Sequence, residues 1–220
     1  GWWAGCRAAI NGFNRHEAAM PIETFLSLLL FCFVAAASPG PNNTMLFASG
    51  VNFGFSRTLP HMAGITIGFT LMVACVGLGM GAVVERYPFL LLVLKIAGGA
   101  YMLWIAWKIG TARKVPEADA DVENAARPFS FLQAASFQWV NPKAWVMILG
   151  AIAAFSEPDR YTLSVVLITT CFFLVSFLST SAWAGFGTAL RGWLSDPVRL
   201  KWFNITMAVI LVLSLWPMLR

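Results

Sequence analysis

Residues 35–46 read AAASPGPNNTML, and residues 138–149 read QWVNPKAWVMIL. In each stretch, proline removes a backbone N–H group from the middle of an apolar segment, so neither segment is expected to form one straight helix. Gly40 adds backbone freedom to the first interruption. Carbonyl groups freed in this way find no hydrogen-bond donor in hydrocarbon, so the interruptions are expected to face protein or a water-filled cavity.

Apolar residues dominate the chain around these two interruptions. Hydrophobic residues make up 59% of the sequence and charged residues 11%, whereas an average soluble domain carries roughly 25% charge. A helix that crosses a bilayer needs about 20 mostly apolar residues. We therefore predict an all-α integral membrane protein with six transmembrane helices, of which the first and fourth are interrupted. The six apolar stretches cover residues 22–51, 60–84, 88–109, 131–155, 161–190 and 198–219.

The chain is predicted to be one membrane domain, residues 20–220, preceded by an extension of residues 1–19. The extension carries charged and amide residues and reads as a disordered tail or as sequence upstream of the natural start at Met20. A polar loop at about 110–130 divides the six stretches into two groups of three, with proline near the starts of the second, third and sixth (Pro60, Pro88 and Pro197). Since each group begins with an interrupted helix, we predict two inverted repeats of three helices, a pattern typical of secondary transporters.

Lysine and arginine in the loops predict the orientation. The first, third and fifth loops together carry eight of these residues, against two in the second and fourth loops. Cytoplasmic loops carry the excess of positive charge. The two ends of the membrane domain are therefore predicted to lie outside, and the 110–130 loop in the cytoplasm.

Composition and motifs argue against several other classes of function. The net charge of +5 comes from dispersed Lys and Arg residues, which suit an anionic membrane surface better than nucleic acid. An intramembrane enzyme is one alternative, but HExxH, GxSxG and paired carboxylates are missing from the sequence. A metal transporter is another, but Cys and Met are too dispersed to supply clustered ligands. We expect no catalytic residue, metal site or cofactor.

Polar residues at the two interruptions are the predicted substrate-binding positions. The helices that restart there present N-terminal N–H groups and a partial positive charge, to which Lys143 adds a full charge, so together they suit a carboxylate. Two alternatives remain open. The first interruption could be a packed proline kink, and the fourth span could start near Pro142, with Lys143 reaching the interface. The predicted positions are Pro39, Gly40, Pro41, Asn42, Asn43, Asn141, Pro142 and Lys143.

The same residues resemble the lysine exporter and homoserine/threonine exporter (LysE/RhtB) family. SPGPNN, RTLPHMAGITIGF, LKIAGGAYMLWIAWK and NPKAW match the family's pattern in order and spacing between Met20 and Arg220. The resemblance implies a six-helix exporter of amino acids or related metabolites in the bacterial inner membrane, driven by the proton motive force. It implies a small-molecule substrate and a lipid environment, and a homodimer is compatible with so small a transporter.

Overall fold

A computed structural model describes residues 20–87, 89–112 and 127–216, and within these ranges the regular structure is entirely helical. The extension at 1–19 and most of the 110–130 loop lie outside the described residues. Nine α-helices occur in the described ranges: α1 (Ile22–Ala37), α2 (Pro41–Phe53), α3 (Phe55–Cys75), α4 (Gly81–Arg86), α5 (Phe89–Thr111), α6 (Phe131–Val140), α7 (Pro142–Phe155), α8 (Tyr161–Leu190) and α9 (Pro197–Leu213).

Both predicted interruptions are present. The first apolar stretch is divided into α1 and α2, which meet at an angle of 56° across Ser38–Gly40. The fourth is divided into α6 and α7, which are separated by the single residue Asn141. In both cases the second piece starts with proline, whose missing N–H group is not required in the first turn of a helix.

The second apolar stretch differs from the prediction at both ends. Its helix α3 begins at Phe55, so Pro60 lies inside the helix rather than near its start. After Cys75 the chain continues as a π-helical turn, Val76–Met80, in which Gly79 has a φ of 129°. L-residues with a side chain rarely adopt that conformation, and it breaks the predicted 60–84 helix before α4.

Helix α3 lies at the centre of the packing, in contact with α2, α6 and α8. Gly64 and Gly68 lie one turn apart on α3 and allow the backbone of α6 to approach closely, against Phe131 and Ala135. Small residues at this spacing are typical of tightly packed membrane helices. The packing brings α6, which precedes the second interruption, to the middle of the molecule.

Large apolar side chains cover much of the outer surface, including Leu26, Leu30 and Phe33 on α1. A surface of this kind suits lipid, because apolar patches this extensive are unusual on soluble proteins. Among the described residues, three helices are long and apolar enough to cross a bilayer, and a fourth crossing is made if α1 and α2 count as one bent span. Helix α7 is a shorter apolar helix of 14 residues.

Candidate functional site

Lys143 connects the two interruptions. Its Nζ donates hydrogen bonds to the carbonyl oxygen of Ser38 (2.9 Å), to Ser38 Oγ (2.8 Å) and to the carbonyl oxygen of Pro39 (3.3 Å). These three bonds use all three donors of the ammonium group. The start of α7 is therefore fixed to the backbone that links α1 and α2, although 105 residues separate Ser38 from Lys143.

A pair of side-chain amides makes a second connection between the interruptions. Asn42 Nδ2 donates to Gln138 Oε1 at 2.8 Å, and Gln138 Nε2 donates in return to Asn42 Oδ1 at 3.2 Å. Gln138 is fully buried near the end of α6 and also donates to the carbonyl oxygen of Ala134. Because each amide offers both a donor and an acceptor, the pair satisfies both partners without any charge.

The backbone carbonyl groups freed at the first interruption receive side-chain donors. Asn43 Nδ2 donates to the carbonyl oxygens of Ala36 (2.8 Å) and Ser38 (2.9 Å). Ser179 on α8 also donates to Ala36, at 2.9 Å. Unpaired backbone groups are costly in an apolar interior, and these bonds remove that cost without filling the space beside the interruption.

Gly40 is needed for space rather than for backbone freedom. Its φ of 176° and ψ of −179° describe an extended backbone that other residues also adopt. A Cβ atom at Gly40 would lie 2.9 Å from Lys143 Nζ and 3.0 Å from Lys143 Cδ. The sequence-based argument from backbone freedom is therefore wrong at this position, and the requirement for glycine comes from the lysine side chain.

At the second interruption, a helix cap fixes the backbone position of Lys143. Asn141 is the N-cap of α7, and its side-chain oxygen accepts a hydrogen bond from the backbone N–H of Lys143 at 3.1 Å. Capping of this kind stabilises a helix start by about 1 kcal/mol. The chain before this cap is also helical, since α6 extends from Phe131 to Val140. Lys143 Nζ points to the first interruption instead of reaching away from it.

The two interruptions and α8 enclose a cavity of about 40 Å³. Five of the eight predicted positions line it: Gly40, Asn42, Asn43, Asn141 and Lys143. The prolines at 39, 41 and 142 do not line it, and they act on the shape of the backbone. The sequence-based prediction missed the remaining lining residues, which are Ala35, Ala36, Ile65, Phe69, Ala144, Met147, Ser176, Ser179 and Thr180.

Two polar residues of the site, Ser38 and Gln138, were also missed although both lie inside the quoted motifs. A glutamine in an apolar segment is a signal in itself, because a buried amide requires partners. The hydroxyl groups of α8 gave no such signal, since Ser and Thr can satisfy themselves on the preceding turn of a helix. Thr180, for example, donates to the carbonyl oxygen of Phe177.

The charge at this site is positive. In the described part of the chain, the polar atoms within hydrogen-bond distance of Lys143 Nζ are neutral oxygens, and none belongs to a carboxylate. Of the described carboxylates, Glu23, Asp159 and Asp196 are exposed and Glu157 is half-buried. No group of three or more potential metal ligands occurs among the described residues. The cavity thus offers one cation, several amides and hydroxyls, and two helix N-termini.

Comparison with known proteins agrees with this arrangement. Residues 33–214 match the LysE type translocator family, a range that includes both interruptions. The chain belongs to the LysE-type translocator family. Relatives of this LysE-type chain include cysteine/O-acetylserine efflux proteins of Escherichia coli strain K12 and of Shigella flexneri, each 30% identical over 185 residues. Each match covers 83% of this chain and 90% of the relative. No solved structure matches the chain.

Membership of the LysE-type family identifies a membrane transport protein rather than an enzyme. The matched range extends from α1 to the residue after α9 and includes all the residues that line the cavity. The site of this LysE-type translocator is therefore built from the part of the chain that defines the family.

Proposed function

We propose that this protein is a secondary transporter that exports a small amino acid or a related metabolite across the bacterial inner membrane, coupled to the proton motive force. One observation carries the proposal. The ammonium group of Lys143 lies beside a cavity at which two helices begin, and in the described structure its hydrogen-bond acceptors are neutral oxygens. A cation in the apolar part of a membrane protein is typical of a substrate pathway.

The α-carboxylate of an amino acid is the group that this site suits. Helices α2 and α7 both start at the cavity, and the dipole of each helix favours a negative charge at its start. Hydrogen bonds between Lys143 and a carboxylate are stronger than those it makes to neutral oxygens. A bound carboxylate would therefore displace the contacts of Lys143 with Ser38 and Pro39.

Release of these contacts also allows a conformational change in which the two interruptions move apart. The cavity of about 40 Å³ has room for a few water molecules, and an amino acid requires more space. Binding of a solute must therefore separate the two interruptions that Lys143 holds together. Movement of one half of the molecule against the other, about a fixed central site, is the usual mechanism of alternating access.

Helix packing supports the arrangement of six spans in two inverted repeats. In that arrangement α3 corresponds to α8, α5 to α9, and the pair α1–α2 to the pair α6–α7. The contacts α3–α8 and α5–α9 then join equivalent helices, and the contact α3–α6 has its counterpart in α8–α1, whereas the extensive contact α2–α8 has no comparable counterpart between α7 and α3. We propose on this basis that each half crosses the membrane three times, with its interrupted helix at the interface.

The relatives suggest the size of the solute. The proteins of Escherichia coli and Shigella flexneri are named for cysteine and O-acetylserine, both small amino acids. In this chain the cavity is lined by the hydroxyl-bearing residues Ser176, Ser179 and Thr180 together with the apolar residues Ile65 and Phe69. We propose a small amino acid with a short polar side chain as the substrate. A homodimer, which is compatible with so small a transporter, remains part of the proposal.

A metabolite profile of the growth medium tests this function. Cells that express the protein are compared with cells that express Lys143→Ala at the same membrane level. We expect one or a few small amino acids, cysteine and O-acetylserine first among them, to accumulate outside the cells that carry the unaltered protein. Identical media would contradict the proposed function, and a solute without a carboxylate would contradict the proposed role of Lys143.

A further inference from the structure

His61 is a buried imidazole whose nitrogen atoms have no hydrogen-bond partner. The residue lies in the second turn of α3 with 0% of its surface exposed, and neither Nδ1 nor Nε2 has a partner in the described structure. Its ring packs on Phe129, with 5.1 Å between the ring centroids. A buried polar group without a partner is unfavourable and requires an explanation, because an apolar residue could fill the same space at lower cost.

The helices around His61 offer it no acid. Helices α2 and α6, which pack on α3, carry no ionisable side chain, and neither does α8 from Thr180 to its end. In the described part of the chain, the charged residues on neighbouring segments are Arg57 on α3, Lys108 on α5, Arg127 before α6 and Arg191 after α8, and all of these are cations. Any further positive charge that enters the region therefore disfavours the protonated form of His61.

His61 lines neither of two nearby cavities, but its neighbours line both. Ile65, one turn further along α3, lines the central cavity beside Lys143. Phe129, against which the imidazole packs, lines a second cavity of about 100 Å³ together with Lys108 and Arg127. This second cavity lies near the C-terminal ends of α2 and α5. A shift of α3 or of Phe129 during transport would therefore bring the imidazole into contact with one cavity or the other.

We propose that His61 is the proton-binding residue that couples solute export to the proton gradient. This proposal rests on the function proposed above. The coupling ion is inferred to be a proton, because a single imidazole whose nitrogen atoms have no other partner binds a proton. Among side chains, imidazole is the one that ordinarily changes its charge between about pH 5 and 8. Protonation from outside gives His61 a positive charge in the half-cycle without solute.

Electrostatic repulsion then makes proton and solute alternate. His61 is one helical turn from Ile65, which lines the central cavity, so the ammonium group of an amino acid bound there would disfavour the protonated imidazole. Arrival of the solute from the cytoplasm therefore releases the proton to the cytoplasm, and return of the proton from outside follows solute release. One proton enters for each solute that leaves, so the exchange is a one-to-one antiport. No chemical bond in the solute changes.

Two assays of the purified protein in liposomes separate coupling from translocation. The first measures exchange of internal for external radiolabelled O-acetylserine at equal pH. The second measures accumulation of the same solute by vesicles that are acidic inside, where a gradient of one pH unit supports up to about tenfold accumulation for one proton per solute. We expect His61→Gln and His61→Phe to retain exchange while losing this accumulation.

The remaining histidine supplies the matched control. His16→Gln makes the same change in the segment before Met20 and should retain both exchange and accumulation. His61→Phe preserves an aromatic ring against Phe129, so a merely structural role for His61 predicts normal accumulation in this variant. Accumulation by both His61 variants, or loss of exchange in both, would overturn the proposal. If the unaltered protein exchanges no solute, the proposed function itself fails and the coupling role fails with it.

Discussion

At the scale of single residues, the site depends on an ammonium group whose hydrogen-bond acceptors in the described structure are all neutral. We expect Lys143→Met to preserve the apolar part of the side chain and to remove the carboxylate-binding group. A hydrogen bond to a charged group contributes about 1.5–3 kcal/mol, so the efficiency of transport should fall roughly 10- to 100-fold. Initial rates of efflux over a range of solute concentrations measure this change.

Lys95→Met is the control for that variant, because Lys95 also lies in an apolar stretch but does not line the central cavity. Its export should remain close to that of the unaltered protein. Normal export by Lys143→Met, at a normal membrane level, would remove the proposed role of Lys143 in carboxylate binding.

The amide pair of Asn42 and Gln138 gives a second prediction at this scale. Each single substitution by alanine leaves the other amide without its partner, so Asn42→Ala and Gln138→Ala should each strongly reduce export while membrane insertion continues. The double variant should be little worse than either single variant, since both remove the same interaction. The interaction energy expected for such a pair is about 0.5–3 kcal/mol. Additive losses in the double-mutant cycle would show that the two amides act independently.

Sequence reasoning located the residues of the interruptions because proline and glycine act on their own backbone. Asn42, Asn43, Asn141 and Lys143 line one cavity, which agrees with the expectation that the interruptions avoid hydrocarbon. The reason for Gly40 was wrong, because only the structure places the side chain of Lys143 against it. Ser179 was missed for the same reason. Its donation to Ala36 depends on how α8 packs beside α1, and no local pattern carries that information.

At the scale of elements, the close contact between α2 and α8 depends on Gly187. A Cβ atom at Gly187 would clash with the backbone oxygen of Phe47, whereas one at Gly185 would meet no atom within 4 Å. We expect Gly187→Ala to push the helices apart and to destabilise the protein by about 1–3 kcal/mol, the usual cost of overpacking. Gly185→Ala makes the same chemical change on the same helix and should be neutral or stabilising.

Thermal stability in detergent, followed by size-exclusion chromatography after heating, measures both glycine variants. A lower midpoint for Gly187→Ala than for Gly185→Ala is the expected result. Equal midpoints would mean that α2 and α8 tolerate a wider separation than their close contact indicates.

Helix boundaries could be predicted from the sequence where the ends of an apolar stretch are clear or are marked by a proline. The fifth stretch, 161–190, coincides with α8, and Pro197 opens α9 as expected. The second stretch was not predictable to the same degree. Gly77, Gly79 and Gly81 are compatible with helix packing as well as with a break, and the positive φ of Gly79 is decided by the tertiary structure. Apolar composition alone does not distinguish these alternatives.

At the scale of the whole molecule, the two interruptions form one centre because each half supplies one of them. Lys143 comes from the second half and its three acceptors from the first, so the closed cavity exists only while the halves are together. In the proposed arrangement of inverted repeats, the two halves cross the membrane in opposite directions. The orientation of the loops is therefore a test of the mechanism as well as of the topology.

Cysteine labelling tests that orientation in a variant from which the four native cysteines, Cys6, Cys32, Cys75 and Cys171, have been replaced. Ala118→Cys lies in the central loop and Asp159→Cys in the loop between α7 and α8. Because the excess of Lys and Arg lies in the first, third and fifth loops, Ala118→Cys should react with a membrane-impermeant reagent only after the cells are opened. Asp159→Cys should react in intact cells. If both positions react from the same side, the number of crossings between them is even, and the inverted arrangement that brings the interruptions together cannot form.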